Sequence, residues 1–254
     1  MHWNPEVYNR FKEIRNQPFY DLMDLIQPAA TMKAVDLGCG TCEQTAILAG
    51  KFVNANFLGI DASAEMLNES KTALGNLRFR QADIEAFAES DDTWDLIFSN
   101  AALQWADDHE GLFPKLIGLL KLQGQFAVQM PVQHSNVLNQ LLLDLVQQEP
   151  FISYLNGWYR PSPVLGMDDY TRILFEAGLK NILVIQKVYP IVFDDHLTLY
   201  NFISGSTLIP YMERLETEQQ RQLAQAFQER TTEAFPSLPG VYAFKRLLLY
   251  DRKD

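Results

Sequence analysis

What most constrains this chain is a regular alternation of short β-rich runs and helical patterns that begins at residue 33. Residues 33–37 read as a strand, 41–51 as a helix, 56–60 as a strand and 64–74 as a helix. Further strands follow at 77–81, 95–99 and 124–130, with helical periodicity over 109–120. Strands separated by helices at this spacing need crossover connections, and right-handed crossovers build a parallel, doubly wound α/β sheet. Such a sheet binds ligands at the carboxyl ends of its strands, near the point where strand order reverses. Ahead of the sheet, residues 5–26 form a helical segment carrying Tyr8, Phe11, Phe19 and Tyr20. Behind it come helices over 135–148 and 168–177, separated by a Pro/Gly/aromatic stretch at 150–166. A strand at 179–189, a helical region over 195–235 split near Thr217-Glu218, and a last strand at 241–250 complete the pattern. The expected organisation is one domain: a helical segment over 1–30, a ligand-binding core over 31–131, and cap helices with the last two strands over 132–254.

Composition narrows the partners. With 254 residues, 47% of them hydrophobic, the chain can bury roughly 70–75% of its unfolded surface and needs no staple. Its 21 Lys and Arg against 32 Asp and Glu give a net charge of −11, which repels duplex nucleic acid and anionic membrane. The opening Met1-His2-Trp3-Asn4-Pro5-Glu6 has neither the basic start nor the apolar core of a leader. The apolar runs, such as 116–122, fall far short of the roughly 20 residues of a membrane span. Two cysteines, Cys39 and Cys42, exclude a secreted disulfide framework, and a cytoplasmic location is expected.

The first strand runs into Asp36-Leu37-Gly38-Cys39-Gly40-Thr41-Cys42. Two glycines between a strand and a helix let the backbone approach a ligand more closely than a Cβ allows, although a tight structural turn has the same spacing. Asp61 ends the second strand, 21 residues after Gly40, where a carboxylate can accept both hydroxyls of a ribose. Asp83 follows the third strand, where it can accept a hydrogen bond from an adenine amino group. Glu43 occupies the place of the third glycine of a dinucleotide fingerprint and would repel a pyrophosphate at the start of that helix. S-adenosylmethionine, which carries no phosphate and a positive sulfonium and ammonium, suits this acidic rim better. A redox Cys-x-x-Cys is a further reading, but the flanking Gly38 and Gly40 argue against it. The four histidines, His2, His109, His134 and His196, show no metal spacing.

Val35-Asp36-Leu37-Gly38-Cys39-Gly40, Gly59-Ile60-Asp61-Ala62-Ser63 and Gln81-Ala82-Asp83 together resemble the class I S-adenosylmethionine-dependent methyltransferases. The resemblance implies a Rossmann-like, seven-stranded sheet with an antiparallel last strand, Asp61 on the ribose and Asp83-Ile84 on the adenine. The cofactor-binding set is then Asp36, Gly38, Gly40, Asp61, Ala62, Met66, Asp83, Ile84 and Asn100, with S-adenosylhomocysteine as product. Cys42 stands where many members have a third loop glycine.

A narrower likeness is to the trans-aconitate 2-methyltransferases. It rests on Trp3-Asn4-Pro5 with Tyr8, Phe11, Arg15 and Pro18, on Ser99-Asn100-Ala101-Ala102-Leu103-Gln104-Trp105, on Asp108-His109, on Leu112-Phe113-Pro114 and on Val128-Gln129-Met130-Pro131. It is dense over 3–131 and thinner beyond. Two departures bear on the acceptor. That family has Arg-x-Arg-Pro where this chain has Arg15-Asn16-Gln17-Pro18, and an arginine before proline where this chain has Ile209-Pro210. A tricarboxylate wants cationic, preferably forked, partners.

The expected reaction is O-methylation of a small carboxylic acid. A carboxylate with a pKa near 4–5 is already ionised at pH 7, so no general base is required. Arg15, Tyr8, Gln104 and Trp105 are the expected acceptor-side residues, with Arg15 holding an anion. His109, at a helix start, is expected to face solvent. Arg160, Arg172 and Arg214 lie in the covering elements, where they can meet anions. Two alternatives stay open: a malonyl-acyl-carrier-protein O-methyltransferase, which the Asn100 and Leu103-Gln104-Trp105 stretch also resembles, and a cofactor-binding protein without transferase activity.

Overall fold

The computed structural model describes residues 5–69 and 74–254, leaving aside the side chains of 5–12, 205 and 206. In chain order the elements are α1 (Pro5–Leu25), β1 (Met32–Leu37), α2 (Glu43–Lys51), β2 (Ala55–Asp61), α3 (Ala64–Asn68) and β3 (Leu77–Gln81). Next come α4 (Ile84–Ala88), β4 (Trp94–Asn100), α5 (His109–Gly118), β5 (Leu120–Pro131), α6 (Val137–Val146) and α7 (Phe151–Tyr154). The chain continues through α8 (Met167–Glu176), β6 (Leu183–Phe193), α9 (His196–Thr207), α10 (Ile209–Met212), α11 (Thr217–Ala234) and β7 (Gly240–Arg252). Trp3 and the later part of the helix expected over 64–74 fall outside the described residues.

The seven strands form one sheet in the order β3-β2-β1-β4-β5-β7-β6. β1 pairs in parallel with β2 on one side and β4 on the other, and strand order reverses there. β7 runs antiparallel to β5, from Gln125 opposite Arg252 to Pro131 opposite Arg246. The doubly wound sheet with an antiparallel last strand is therefore present.

Local signals set most of the boundaries. Side chains cap the helix starts: Ser63 accepts from Met66 N–H, Asp83 from Ala86 N–H and Asp108 from Gly111 N–H, relieving amides that a first turn leaves unpaired. α4 has five residues, too few for periodicity to reveal. β5 starts earlier than the expected 124–130 because its first residues pair with β4 across an irregularity after Trp94, where Gln123 takes φ 64°. The expected strand at 179–189 lies instead at Leu183–Phe193. Gly178, at φ 96°, ends α8, and Leu179 N–H reaches back to Leu174 O, so Leu179 belongs to a helix cap. The region over 195–235 breaks at Leu208 as well as before Thr217, with Pro210 opening the short α10.

Two compact units divide the chain. One comprises Arg15–Pro131, Pro163–Lys187 and Arg246–Asp254, and it contains all of the glycine loop and the ends of β1 to β5. In its core Phe19 and Leu22 of α1 meet Leu48 and Ala49 of α2 over Phe57, Phe98 and Ala127 of the sheet. Phe113 of α5 packs with Phe126 and Tyr170. The other unit holds the segment ending at Ile14 together with Val132–Ser162 and Val188–Lys245. Its core joins Leu138 and Leu142 of α6, Ile191 and Phe193 of β6, Phe202 of α9, Phe227 of α11 and Phe244 of β7. No helix among the described residues is long and apolar enough to cross a membrane.

Phe98 is fully buried and meets Phe19 edge-on at 5.9 Å. Phe98→Ala removes a ring from the most enclosed layer of this core and is expected to cost about 3–5 kcal/mol, read as a lowered urea midpoint at unchanged slope.

Candidate functional site

The glycine loop after β1 is shaped by three left-handed residues, Gly38 (φ 72°), Gly40 (φ 57°) and Cys42 (φ 62°). Gly38 N–H and Cys39 N–H both donate to Ile60 O of β2, at 2.8 and 2.9 Å. A Cβ on Gly38 would lie 2.2 Å from the Ala102 Cβ and 3.7 Å from Ile84 Cδ1. Only a glycine lets the end of β1 approach the segment after β4 this closely. Gly40 differs: nothing lies within 4 Å of where its Cβ would stand. The loop thus packs hard at Gly38 and leaves open ground at Gly40.

Asp61 borders that open ground. Its Oδ2 accepts from Gly40 N–H at 2.9 Å and its Oδ1 from Ser63 N–H at 2.9 Å. Two backbone donors fix the carboxylate plane, and each oxygen keeps acceptor capacity. Ala62 beside it is exposed, its carbonyl accepting from Gln81 Nε2 at 2.9 Å. Met66, on α3, is also exposed. Asp83 is exposed after β3, with Oδ1 capping α4.

Asp36 sits one layer below. It is 3% exposed and accepts from the Thr45 hydroxyl at 2.6 Å. Burial raises its pKa from 3.8 to about 7, against the lowering effect of the Thr45 hydrogen bond, and the nearby Asp61 charge adds to the rise. Cys39 and Cys42 are free thiols with Sγ atoms 2.9 Å apart. Burial pushes both thiols up, and the Cys42 contact and the Asp36 charge push Cys39 further. Neither is poised as a thiolate.

At the end of β4 a chain of amides crosses to the helices. Asn100 Nδ2 donates to Gln44 Oε1 at 2.8 Å, and Gln44 Nε2 donates to Asn16 Oδ1 of α1 at 3.3 Å. Asn100 Oδ1 is closed off from solvent and accepts nothing. Beyond it, Leu103–Trp105 form a three-residue 3₁₀ turn. Gln104 Nε2 donates to Ala101 O at 2.6 Å, while its buried Oε1 has no partner. Trp105 is 45% exposed. Carboxamide oxygens left unpaired at a ligand-binding edge suit a ligand that brings donors.

The structure therefore brings Asp36, Gly38, Gly40, Asp61, Ala62, Ile84 and Asn100 to one sheet edge, with Asp83 and Met66 on the helix starts beside β3 and β2. Gln104 and Trp105 share the turn after β4. Arg15 is exposed on α1, one residue before Asn16. Tyr8 lies on α1, its side chain outside the described set. Gln17 donates along the helix surface to Asp21 at 3.1 Å.

His109 corrects the expectation of a solvent-facing side chain. It is 2% exposed, because the turn of α5 on which it lies faces α8 and the 3₁₀ turn. Its Nε2 lies 2.8 Å from Leu103 O and its Nδ1 2.5 Å from Tyr170 Oη. The Arg172 guanidinium contacts Glu110 at 2.7 Å and Glu176 at 3.3 Å. Arg214 stacks over Trp158 at 3.8 Å and donates to Pro210 O. Arg160 donates its backbone N–H to the Tyr211 hydroxyl at 3.4 Å. Sequence reasoning missed Gln44 and Asn16; a glutamine one residue into the helix after the loop was the available signal.

A methyltransferase-domain family model matches residues 29–178. A trans-aconitate 2-methyltransferase of Deinococcus radiodurans is 38% identical, over 98% of this chain and 97% of that protein. One of Variovorax paradoxus is 30% identical, over 99% of this chain and 96% of that protein. Among solved structures, the YcgJ protein of Bacillus subtilis superposes with a TM-score of 0.61 at 17% identity, covering 94% of this chain and 98% of that one. This last likeness shows the fold alone.

Two outcomes follow from the acids and thiols. Because Asp36 binds its proton more tightly when folded, the folded state holds that proton between about pH 4 and 7, and stability falls as pH rises through that window. Asp36→Asn keeps an acceptor for Thr45, so its unfolding free energy relative to the parent should climb from pH 5 to about pH 7, by about 1.4 kcal/mol for each pH unit crossed, and level off above, read from urea denaturation at each pH. Iodoacetamide at pH 7.5 should modify Cys39 and Cys42 at least about tenfold more slowly than free cysteine, followed by mass spectrometry.

Proposed function

This chain belongs to the S-adenosylmethionine-dependent methyltransferases, and on that premise we propose that it methylates a carboxylate of trans-aconitate, releasing S-adenosylhomocysteine. The observation that carries the acceptor is the 38% identity to a trans-aconitate 2-methyltransferase over 98% of the chain. The likeness runs through 132–254 as well as through the glycine loop.

The residues present fit the cofactor. The open ground at Gly40 admits a ligand against the backbone, and Asp61, held by two amides, has acceptor capacity for both ribose hydroxyls. Asp83 and Ile84 would flank the adenine, with Ala62 and Met66 along the same rim. Asn100 Oδ1, an acceptor with no partner, suits an ammonium at the amino-acid end, above the buried Asp36. When bound, S-adenosylmethionine supplies an electrophilic methyl group on a positively charged sulfur.

The chain's own work is placement. The acceptor carboxylate is ionised at neutral pH, so no side chain needs to take a proton from it. What remains is to orient one carboxylate oxygen in line with the methyl–sulfur bond and to exclude water. Arg15 would hold a carboxylate of the acceptor, Gln104 would orient it, and Trp105 would wall the pocket. Gln17 and Ile209 stand where two arginines occur in that family, so this chain draws its remaining anion contacts from other groups.

The test is to incubate the protein with methyl-labelled S-adenosylmethionine and trans-aconitate and to count base-labile methyl ester. Ester well above a no-acceptor control is the expected result; bound cofactor without ester would overturn the acceptor. Asp61→Ala should weaken cofactor binding by about 1–3 kcal/mol, measured by calorimetry, and unchanged affinity would remove Asp61 from the ribose.

A further inference from the structure

The turn that carries Gln104 and Trp105 has little to hold it from within. It is a single 3₁₀ turn, Leu103–Trp105, with no side chain capping its start, and it follows Ala101 at φ 54°. Its own bonds are Trp105 N–H to Ala102 O and Ala106 N–H to Leu103 O, both 3.0 Å, and the Gln104 amide on Ala101 O. Turns this short are marginal without outside contacts. Such contacts include Ala101 N–H on Gln129 O at 2.9 Å, which fixes the residue before the turn, the Ala102 methyl over Gly38, and His109 on Leu103 O.

Leu103 O can only accept, so the nitrogen 2.8 Å from it, Nε2, carries the hydrogen. In the neutral ring Nδ1 is then a lone pair that accepts from Tyr170 Oη at 2.5 Å, the same hydroxyl lying 3.9 Å from Met130 Sδ. Tyr170 Oη in turn accepts from Leu165 N–H at 3.2 Å. Burial keeps His109 below its usual value and hence neutral at pH 7, and it raises the Tyr170 hydroxyl. His109 and Tyr170 are both buried and pack against Phe113, so the imidazole has one orientation.

We infer that His109 is a positioning residue for the methyl acceptor: through its Nε2–H on Leu103 O it pins the 3₁₀ turn that presents Gln104 and Trp105. The inference rests on the acceptor-side placement of Gln104 and Trp105 under the proposed function. It separates two halves of the site, because the pinned turn carries none of the groups that hold the ribose.

Two substitutions split the histidine into its nitrogens. In His109→Gln the carboxamide nitrogen reaches the place of Nε2 and keeps the donor to Leu103 O. In His109→Asn the shorter amide reaches only the place of Nδ1, and the pin is lost. Tyr170→Phe keeps the pin and removes a buried hydroxyl, which makes it the control for lost stability. The expected result is a KM for the acceptor raised about three- to tenfold in His109→Asn. Cofactor Kd should stay within about twofold, and KM in His109→Gln and Tyr170→Phe should stay near that of the parent whatever their melting temperatures. Equal KM increases in His109→Asn and His109→Gln, an increase in Tyr170→Phe to match, no increase in any variant, or a cofactor Kd rising in step would overturn it.

The indole N–H resonance of Trp105, assigned by its absence in Trp105→Phe, reports the turn without turnover. It should move in His109→Asn and hold in the other two. Should the parent protein make no ester from trans-aconitate, the proposed acceptor fails and this resonance alone decides the pin.

Discussion

The ends of three strands are held together at Gly38. Its amide and that of Cys39 converge on Ile60 O of β2, and its missing side chain lets the Ala102 methyl, just past β4, come where a Cβ would meet it at 2.2 Å. Strand order reverses between β2 and β4 around β1, so a ligand crevice has to form there. Packing at Gly38 decides how wide it is. Given that contact, Gly40 is the next residue free to face a ligand, and its amide is already committed to Asp61.

Electrostatics follow from the same contact. Asp36 and Asp61 lie at the ends of adjacent strands, one buried and one half-buried, and the burial that raises Asp36 is a cost the fold carries at neutral pH. A cationic ligand offsets that cost, whereas a pyrophosphate would add to it. The polar contacts that cross from the end of β4 to the first helices run instead through carboxamides, Asn16, Gln44 and Asn100.

β1 to β4 were legible because each is a short β-rich run ended by a glycine, a carboxylate or an amide, and those local signals survive in any context. Beyond residue 131 the reading weakened. The strand placed at 179–189 begins at Leu183, because Leu179 is drawn into the cap of α8 by Gly178. The pattern of apolar residues cannot distinguish a residue that closes a helix from one that opens a strand. His109 was misjudged for a related reason. It stands one residue after a capping aspartate, a position usually wet, and nothing in the sequence indicates that Tyr170, 61 residues later, covers it.

The sequence by itself determined the doubly wound sheet, the loop with its two glycines and the acids at the ends of β1 and β2, because each depends on residues close along the chain and on the fixed hand of the crossovers. Only the tertiary structure decided which polar groups meet. Asn100 reaches Gln44 across 56 residues and Gln44 reaches Asn16 across 28, while Arg172 is taken up by Glu110, 62 residues away. Such pairings depend on how far each helix rotates to bury its apolar face, and that angle is set by side-chain volumes packed from both directions.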